Sequence, residues 1–330
     1  GGTIGATQLP TDVQASEFPG EQNFTSVVLP SGESSTVLVG AFTGLWRSRD
    51  GGRTFTHCDV ISSQFTMLAV APVRDNRAGA VTLVACSYRT GCVGGELDLS
   101  GRSTMQELNP AEKGCGYHVV AFSPAYAFDG VVMATCHSVP GVMRSADWLQ
   151  SWSLVKLPPL DLRPIPAVGR LPKGSVVTVH SIAFSPNFAS DRMIFCAGYN
   201  LGVVRSTDGG TTWQTVWTAG GSYSLRSLDL VISPEFARDA TIVAYRRERS
   251  PIVNERNSTI HLSRDGGSTW LVIGQPGRYW KNAVLVRHGG GLAVLASTMP
   301  KFGPEQGCNS VSSLCRPQRV ASKLTTAGVS

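Results

Sequence analysis

The chain has 330 residues, of which 16% are charged and 42% apolar, and its 36 glycines with 19 prolines make about one residue in six. That composition excludes a wholly disordered chain and fits a globular protein rich in tight turns. The 29 basic and 23 acidic residues leave a net charge of +6, with the basic ones scattered in ones and twos, which argues against a dedicated nucleic-acid binder.

In chain order, Gly1 to Pro10 carry neither a basic nor an apolar leader pattern, a reading compatible with a leader already removed. No later run nears the roughly 18 unbroken apolar residues that cross a bilayer. From about residue 24 the chain is periodic, and residues 1–23 read as an N-terminal segment that completes the last unit of the repeat array. Apolar strands begin near Thr25, Thr66, His118, His180, Ser227 and Asn282, at spacings of 41, 52, 62, 47 and 55 residues.

Two signals recur inside this period. One is Ala121-Phe122-Ser123-Pro124-Ala125-Tyr126-Ala127-Phe128-Asp129, which returns at 183–191 and 231–239, with Ala71-Pro72 and Asp75 as a looser relative. It reads as strand, loop, strand. The other is Ser48-Arg49-Asp50-Gly51-Gly52-Arg53-Thr54-Phe55, which returns at 206–213 and 263–270, with a worn copy from Ser145 to Trp152. Each copy follows a short apolar stretch, and its aromatic residue opens another, so it reads as a hairpin turn. Asp50, Asp147, Asp208 and Asp265 accept hydrogen bonds from the turn's own amides, glycine supplies positive φ, and Phe55, Trp152, Trp213 and Trp270 pack beside the turn. A carboxylate repeated in every unit is a turn device, and calcium would need six to eight oxygens around one point. No catalytic or metal-binding role is assigned to these acids.

Joined in order, the signals give a unit of four strands at the period of a β-propeller. The expected fold is all-β: a single propeller over 24–300 of about six, alternatively seven, four-stranded blades with the Asp turns between strands three and four. Residues 301–330 form a C-terminal tail. These motifs resemble the Asp-box, or BNR, repeats found in sialidases, xyloglucanases, sortilin-type receptors and photosystem II assembly factors. The resemblance implies a propeller. It does not select a function, since the same box serves hydrolases, receptors and assembly chaperones.

Strand order puts the Ser-Pro loops and Asp turns on one, lower face, and the remaining loops on an upper face. The upper face gathers Arg163, Arg170, Arg226, Arg246, Arg247 and Arg249 with few acids, so it is expected to bind an acidic protein or an anionic glycan. The Pro-rich stretch from Leu157 to Lys173 is the largest insertion and a further contact candidate. His118 and His180 share one phase, six residues before Pro124 and Pro186, where both can approach a ligand near the axis. Two imidazoles are too few for a metal, and no cofactor is expected.

A sialidase would need an arginine triad, a Tyr/Glu pair and a Phe/Tyr-Arg-Ile-Pro start. The nearest string, Leu162-Arg163-Pro164-Ile165-Pro166, is misplaced and broken by Pro164. The sequence therefore reads as a non-catalytic protein-binding or assembly scaffold, with a secreted glycoside hydrolase or carbohydrate-binding protein of sialidase-like architecture as the alternative. Eight cysteines without a C-x-x-C pair point to disulfides and an extracellular or lumenal compartment. Cys308 and Cys315 form the expected local pair, Cys92 and Cys115 are expected to close an irregular segment, and Cys86 and Cys136 sit too far apart to join. Asn23 and Asn257 open glycosylation sequons. Oligomeric state is not encoded in these patterns.

Overall fold

A computed structural model describes residues 24–29, 35–41, 44–58, 67–72, 80–87, 91–98, 104–108, 117–136, 141–158, 178–199, 201–218, 228–246, 260–273, 279–288 and 291–299. These are all-β, in five four-stranded antiparallel sheets and one two-stranded sheet. The first sheet is β1 (Phe24–Val28), β2 (Val37–Ala41), β3 (Gly44–Ser48) and β4 (Thr56–Cys58), and the second is β5 (Met67–Val70), β6 (Ala80–Ser87), β7 (Gly91–Asp98) and β8 (Gln106–Leu108). The third runs through β9 (Tyr117–Phe122), β10 (Val131–Cys136), β11 (Gly141–Ala146) and β12 (Ser153–Lys156), and the fourth through β13 (Thr178–Phe184), β14 (Ile194–Tyr199), β15 (Gly202–Ser206) and β16 (Gln214–Trp217). The fifth is β17 (Leu228–Ile232), β18 (Ile242–Arg246), β19 (Ile260–Ser263) and β20 (Leu271–Val272), followed by the pair β21 (Tyr279–His288) and β22 (Gly291–Met299). Every sheet is an up-and-down meander in sequence order, as the repeat reading requires.

The chain divides into two compact units, Gly1–His137 with Met143–Leu154, and Ser138–Val142 with Val155–Ser330. In the first, β1 meets β5 and β5 meets β9; in the second, β13 meets β17 and β17 meets β21. First strands thus lie beside first strands. A bond repeats between them. The Val120 N–H donates to the Met67 sulfur at 3.0 Å, and the Leu230 N–H donates to Ser181 Oγ at 3.1 Å. Met67 and Ser181 each stand five residues before the loop proline, and Val120 and Leu230 each stand four before it, so the loose Ala71-Pro72 copy is in phase with the full ones. Packing between successive sheets supplies the core. In the second unit Phe195, Leu228, Leu230, Phe236 and Ile242 form one cluster, and Val243, Ile260, Leu262, Ala283 and Leu285 form the next.

The Ser-Pro loops are tighter than a plain strand connection. Each contains one turn of helix: α1 (Tyr126–Asp129), α2 (Phe188–Asp191) and α3 (Phe236–Asp239). The serine hydroxyl donates to the aspartate six residues on, at 2.7 Å for Ser123–Asp129, 2.5 Å for Ser185–Asp191 and 2.7 Å for Ser233–Asp239. The other carboxylate oxygen takes the N–H of Val131, Met193 or Thr241, each at 2.9 Å. The loop is closed from inside, so its polar groups need no water. The aromatic that opens each helix turns inward, and Phe122–Tyr126 and Phe184–Phe188 meet edge to face at 4.9 Å.

In the first, third, fourth and fifth sheets the Asp turn meets the connection between the first two strands at the same end of the sheet. The first N–H after the aspartate donates to the residue that ends the neighbouring loop: Gly51 to the Ser35 carbonyl at 2.7 Å, Trp148 to Gly130 at 3.4 Å, Gly209 to Arg192 at 3.0 Å, and Gly266 to Ala240 at 3.0 Å. The worn copy in the third sheet keeps this geometry without its glycines. Trp148 and Leu149 stand where Gly209 and Gly210 stand, at φ 56° and 72°, and left-handed backbone costs a bulky residue about 1–3 kcal/mol. Burial of Leu149, 4% exposed, offsets its share.

The cysteine expectations need one correction. Cys92 is bonded to Cys86, not to Cys115. The two are register partners in β6 and β7, with Cα atoms 4.1 Å apart, at the ends of a short hairpin. Facing positions on adjacent antiparallel strands bring Cβ atoms within bonding reach, a proximity that spacing alone does not reveal. Cys308 and Cys315 lie outside the described residues. Cys196 is a reduced thiol in the core, and burial pushes its pKa up.

Candidate functional site

At the Asp-turn end, every repeated acid is consumed by local structure. Asp208 accepts from Ser206 Oγ at 2.8 Å, from the Thr211 and Thr212 N–H groups at 3.0 and 2.9 Å, and from Thr212 Oγ1 at 2.6 Å. Asp50 and Asp265 repeat this set with Thr54 and Thr269, and Asp147 repeats it with Ser151. The amide and hydroxyl of Thr54 and the Ser48 hydroxyl hold the Asp50 carboxyl well below the usual range. The hydroxyl and amide of Thr269 hold Asp265 at about 2. For Asp208 partial burial pulls upward, and the bonds from Thr212 and Ser206 outweigh it, leaving it at about 2. Carboxylates this acidic and this fully bonded are neither general acids nor bases near neutral pH. Trp213 and Trp270 each donate the indole N–H to the carbonyl of the second turn glycine, at 3.2 and 2.9 Å. Trp152 does not: its buried Nε1 has no acceptor where Leu149 replaces that glycine.

At the opposite end, the candidates divide. Arg163, Arg170, Arg226, Arg247 and Arg249 lie outside the described residues, as do the sequon asparagines Asn23 and Asn257. Arg246 ends β18 opposite Leu228. His118 is the second residue of β9 in the first unit, and His180 is the third residue of β13 in the second unit, half-buried.

One residue here escaped the sequence reading. Asp229, next to the His180 phase on β17, is a buried acid, 8% exposed. It stands five residues before Pro234, the place Met67 and Ser181 fill as acceptors for the next inner strand. The phase of the repeat was the signal for it, since it puts Asp229 at the position from which Met67 and Ser181 accept. Glycosidic cleavage by acid and base or nucleophile needs two carboxyl groups flanking one bond. Among the described residues the turn acids cannot supply them. No group of three His, Cys, Asp or Glu residues fit for a metal occurs among the described residues, and no described helix is long and apolar enough to cross a membrane.

No known family profile matches the chain, and no curated protein matches it. Solved structures do. An ancestral GH74 enzyme superposes with a TM-score of 0.61 at 18% identity, over 84% of this chain and 35% of that one. The extracellular domain of a putative one component system from B. thetaiotaomicron superposes with a TM-score of 0.53 at 12% identity, over 91% of this chain and 36% of that one. The chain therefore spans about a third of the length of these relatives. The class this defines is an all-β, propeller-type fold built from four-stranded meanders.

Proposed function

We propose that the chain is a propeller-type carbohydrate-binding domain of an exported protein, built on the architecture that GH74 enzymes use. The observation that carries this is the likeness to a GH74 enzyme over 84% of the chain. On this reading the repeat spacing counts about six blades, alternatively seven. Export agrees with the Cys86–Cys92 disulfide. Binding rather than cleavage is favoured because the repeated carboxylates are locked in turns. The experiment is affinity electrophoresis through gels containing xyloglucan, hydroxyethyl cellulose or polygalacturonate, with reducing ends assayed in parallel. Retardation by at least one polysaccharide is expected. Unretarded migration in every gel contradicts the reading, and new reducing ends would make the chain a hydrolase.

A second reading is a scaffold for an acidic protein partner, with Arg226, Arg246, Arg247 and Arg249 as contacts. It is favoured by the excess of arginine over acid in the segments the repeat assigns to the upper face. Capture of a native partner that weakens with salt, together with no glycan retardation, would favour it.

A further inference from the structure

The repeat sets an expectation for every loop position, and in the third sheet two positions depart from it together. Phe128 stands where the fourth sheet has Ser190 and the fifth has Arg238, and it is 88% exposed. Trp148 stands where those sheets have Gly209 and Gly266, and it is 37% exposed despite its left-handed backbone. The two loops are tied by the Trp148 N–H, which donates to the Gly130 carbonyl two residues after Phe128. Gly130 is itself explained by the indole. A Cβ there would lie 2.8 Å from Cδ2 and 3.1 Å from Cε2 of Trp148, whereas Arg192 and Ala240 hold the same left-handed conformation at this position with side chains. A tryptophan in left-handed backbone, a little over a third exposed, is thus seated on a backbone site cleared for it, and the loop it is tied to carries an exposed phenylalanine two residues before that tie.

We infer that Phe128 and Trp148 form a stacking platform for the ring faces of a neutral polysaccharide, on the Asp-turn end of the third sheet. The size fits a sugar chain rather than a protein. Two aromatic side chains offer at most about 150–250 Å² each, well under the roughly 800 Å² per partner of a stable protein interface. The charge fits a neutral chain. Loops 123–130 and 145–152 contain no basic residue, whereas Arg192, Arg238 and Arg264 occupy the corresponding loops of the next sheets. The only charges in these loops, Asp129 and Asp147, would repel sulfates or uronates. Gln150 is exposed, and its amide donates to the Trp148 carbonyl at 3.5 Å, which leaves its amide oxygen to accept from a sugar hydroxyl. This rests on the carbohydrate reading and gives it a location.

The test is the double variant Phe128→Ser, Trp148→Gly, which places the fourth-sheet residues at these two positions. It removes the left-handed strain at Trp148 together with the indole over Gly130, so its fold is checked by circular dichroism beside binding. Phe128→Ser alone, which leaves that packing in place, is the second variant. In hydroxyethyl cellulose and xyloglucan gels, the wild-type chain should be retarded and the double variant's dissociation constant should rise at least about tenfold, with its β circular dichroism unchanged, and Phe128→Ser alone should weaken binding with the melting temperature unchanged. Equal retardation of variant and wild type overturns the platform while leaving the carbohydrate reading intact. Retardation of the wild type by polygalacturonate alone overturns its neutral-glycan assignment, and Phe128-dependent self-association without glycan binding replaces the sugar with a second copy of the chain. A wild type that no gel retards overturns the carbohydrate reading itself.

Discussion

The guanidinium of Arg192 fills the space a side chain at Gly209 would need: a Cβ on Gly209 would lie 2.5 Å from Nη2 and 3.1 Å from Cζ. The guanidinium carbon also stands 4.6 Å from the centroid of the Phe188 ring, a cation–π placement that favours its position. In the third sheet the same pair of sites is filled the other way, by Trp148 over Gly130. One side chain fits between the Ser-Pro loop and the Asp turn, on either strand connection.

Gly209→Ala should therefore cost about 1–2 kcal/mol, from left-handed backbone at φ 76° and displacement of a flexible arginine. Gly198→Ala should cost more, about 3 kcal/mol, because its Cβ would lie 1.9 Å from the Thr178 carbonyl oxygen, which is backbone. Urea denaturation midpoints of the two variants should rank in that order; equal midpoints would contradict the packing described.

Acid should unfold the protein through the Asp turns. Asp208 and Asp265 sit at about 2 in the fold against an ordinary 3.8. A depressed carboxyl stabilises fully above the ordinary value and loses that stabilisation as pH falls through the folded one. Melting temperature should hold down to about pH 4 and then drop toward pH 2, and the variant carrying both Asp208→Asn and Asp265→Asn should show a shallower drop. An identical acid slope in that variant would contradict it.

The bond from the Leu230 N–H to Ser181 Oγ ties β13 to β17 at 3.1 Å. Ser181→Ala leaves that N–H without its acceptor and should cost about 1–2 kcal/mol. Asp229→Asn, which keeps an acceptor in the same phase, should lower the melting temperature less than Asp229→Ala.

Thiol chemistry separates the described cysteines. Peptide mapping without reductant should recover Cys86 linked to Cys92, and Cys196 should react with a water-soluble disulfide reagent only after denaturation, since burial raises its pKa and excludes the reagent. Rapid native labelling of Cys196 would contradict its place in the core.

Much of this fold was legible because a repeat makes each copy a control for the others. Strand order, the Asp turns and the starts of β5, β9, β13 and β17 followed from period alone. The one-turn helices were missed because four residues carry no helical periodicity, although the constant Ser-to-Asp spacing of six marked the bond that closes them. Cys86–Cys92 was missed because register across a hairpin is set by turn geometry rather than by composition. The upper-face arginines were chosen from loops in which nothing repeats, so no second copy constrains them. Phe128 and Trp148 were readable only as departures, once the loops they interrupt had a known form.

A glycan microarray carrying neutral, sulfated and uronate polysaccharides, probed with the labelled chain, tests the central claim most directly. Retention on neutral polysaccharides is predicted, and its loss in the Phe128→Ser, Trp148→Gly variant. No retention above blank on any glycan, from a chain whose circular dichroism shows the expected β content, would contradict it.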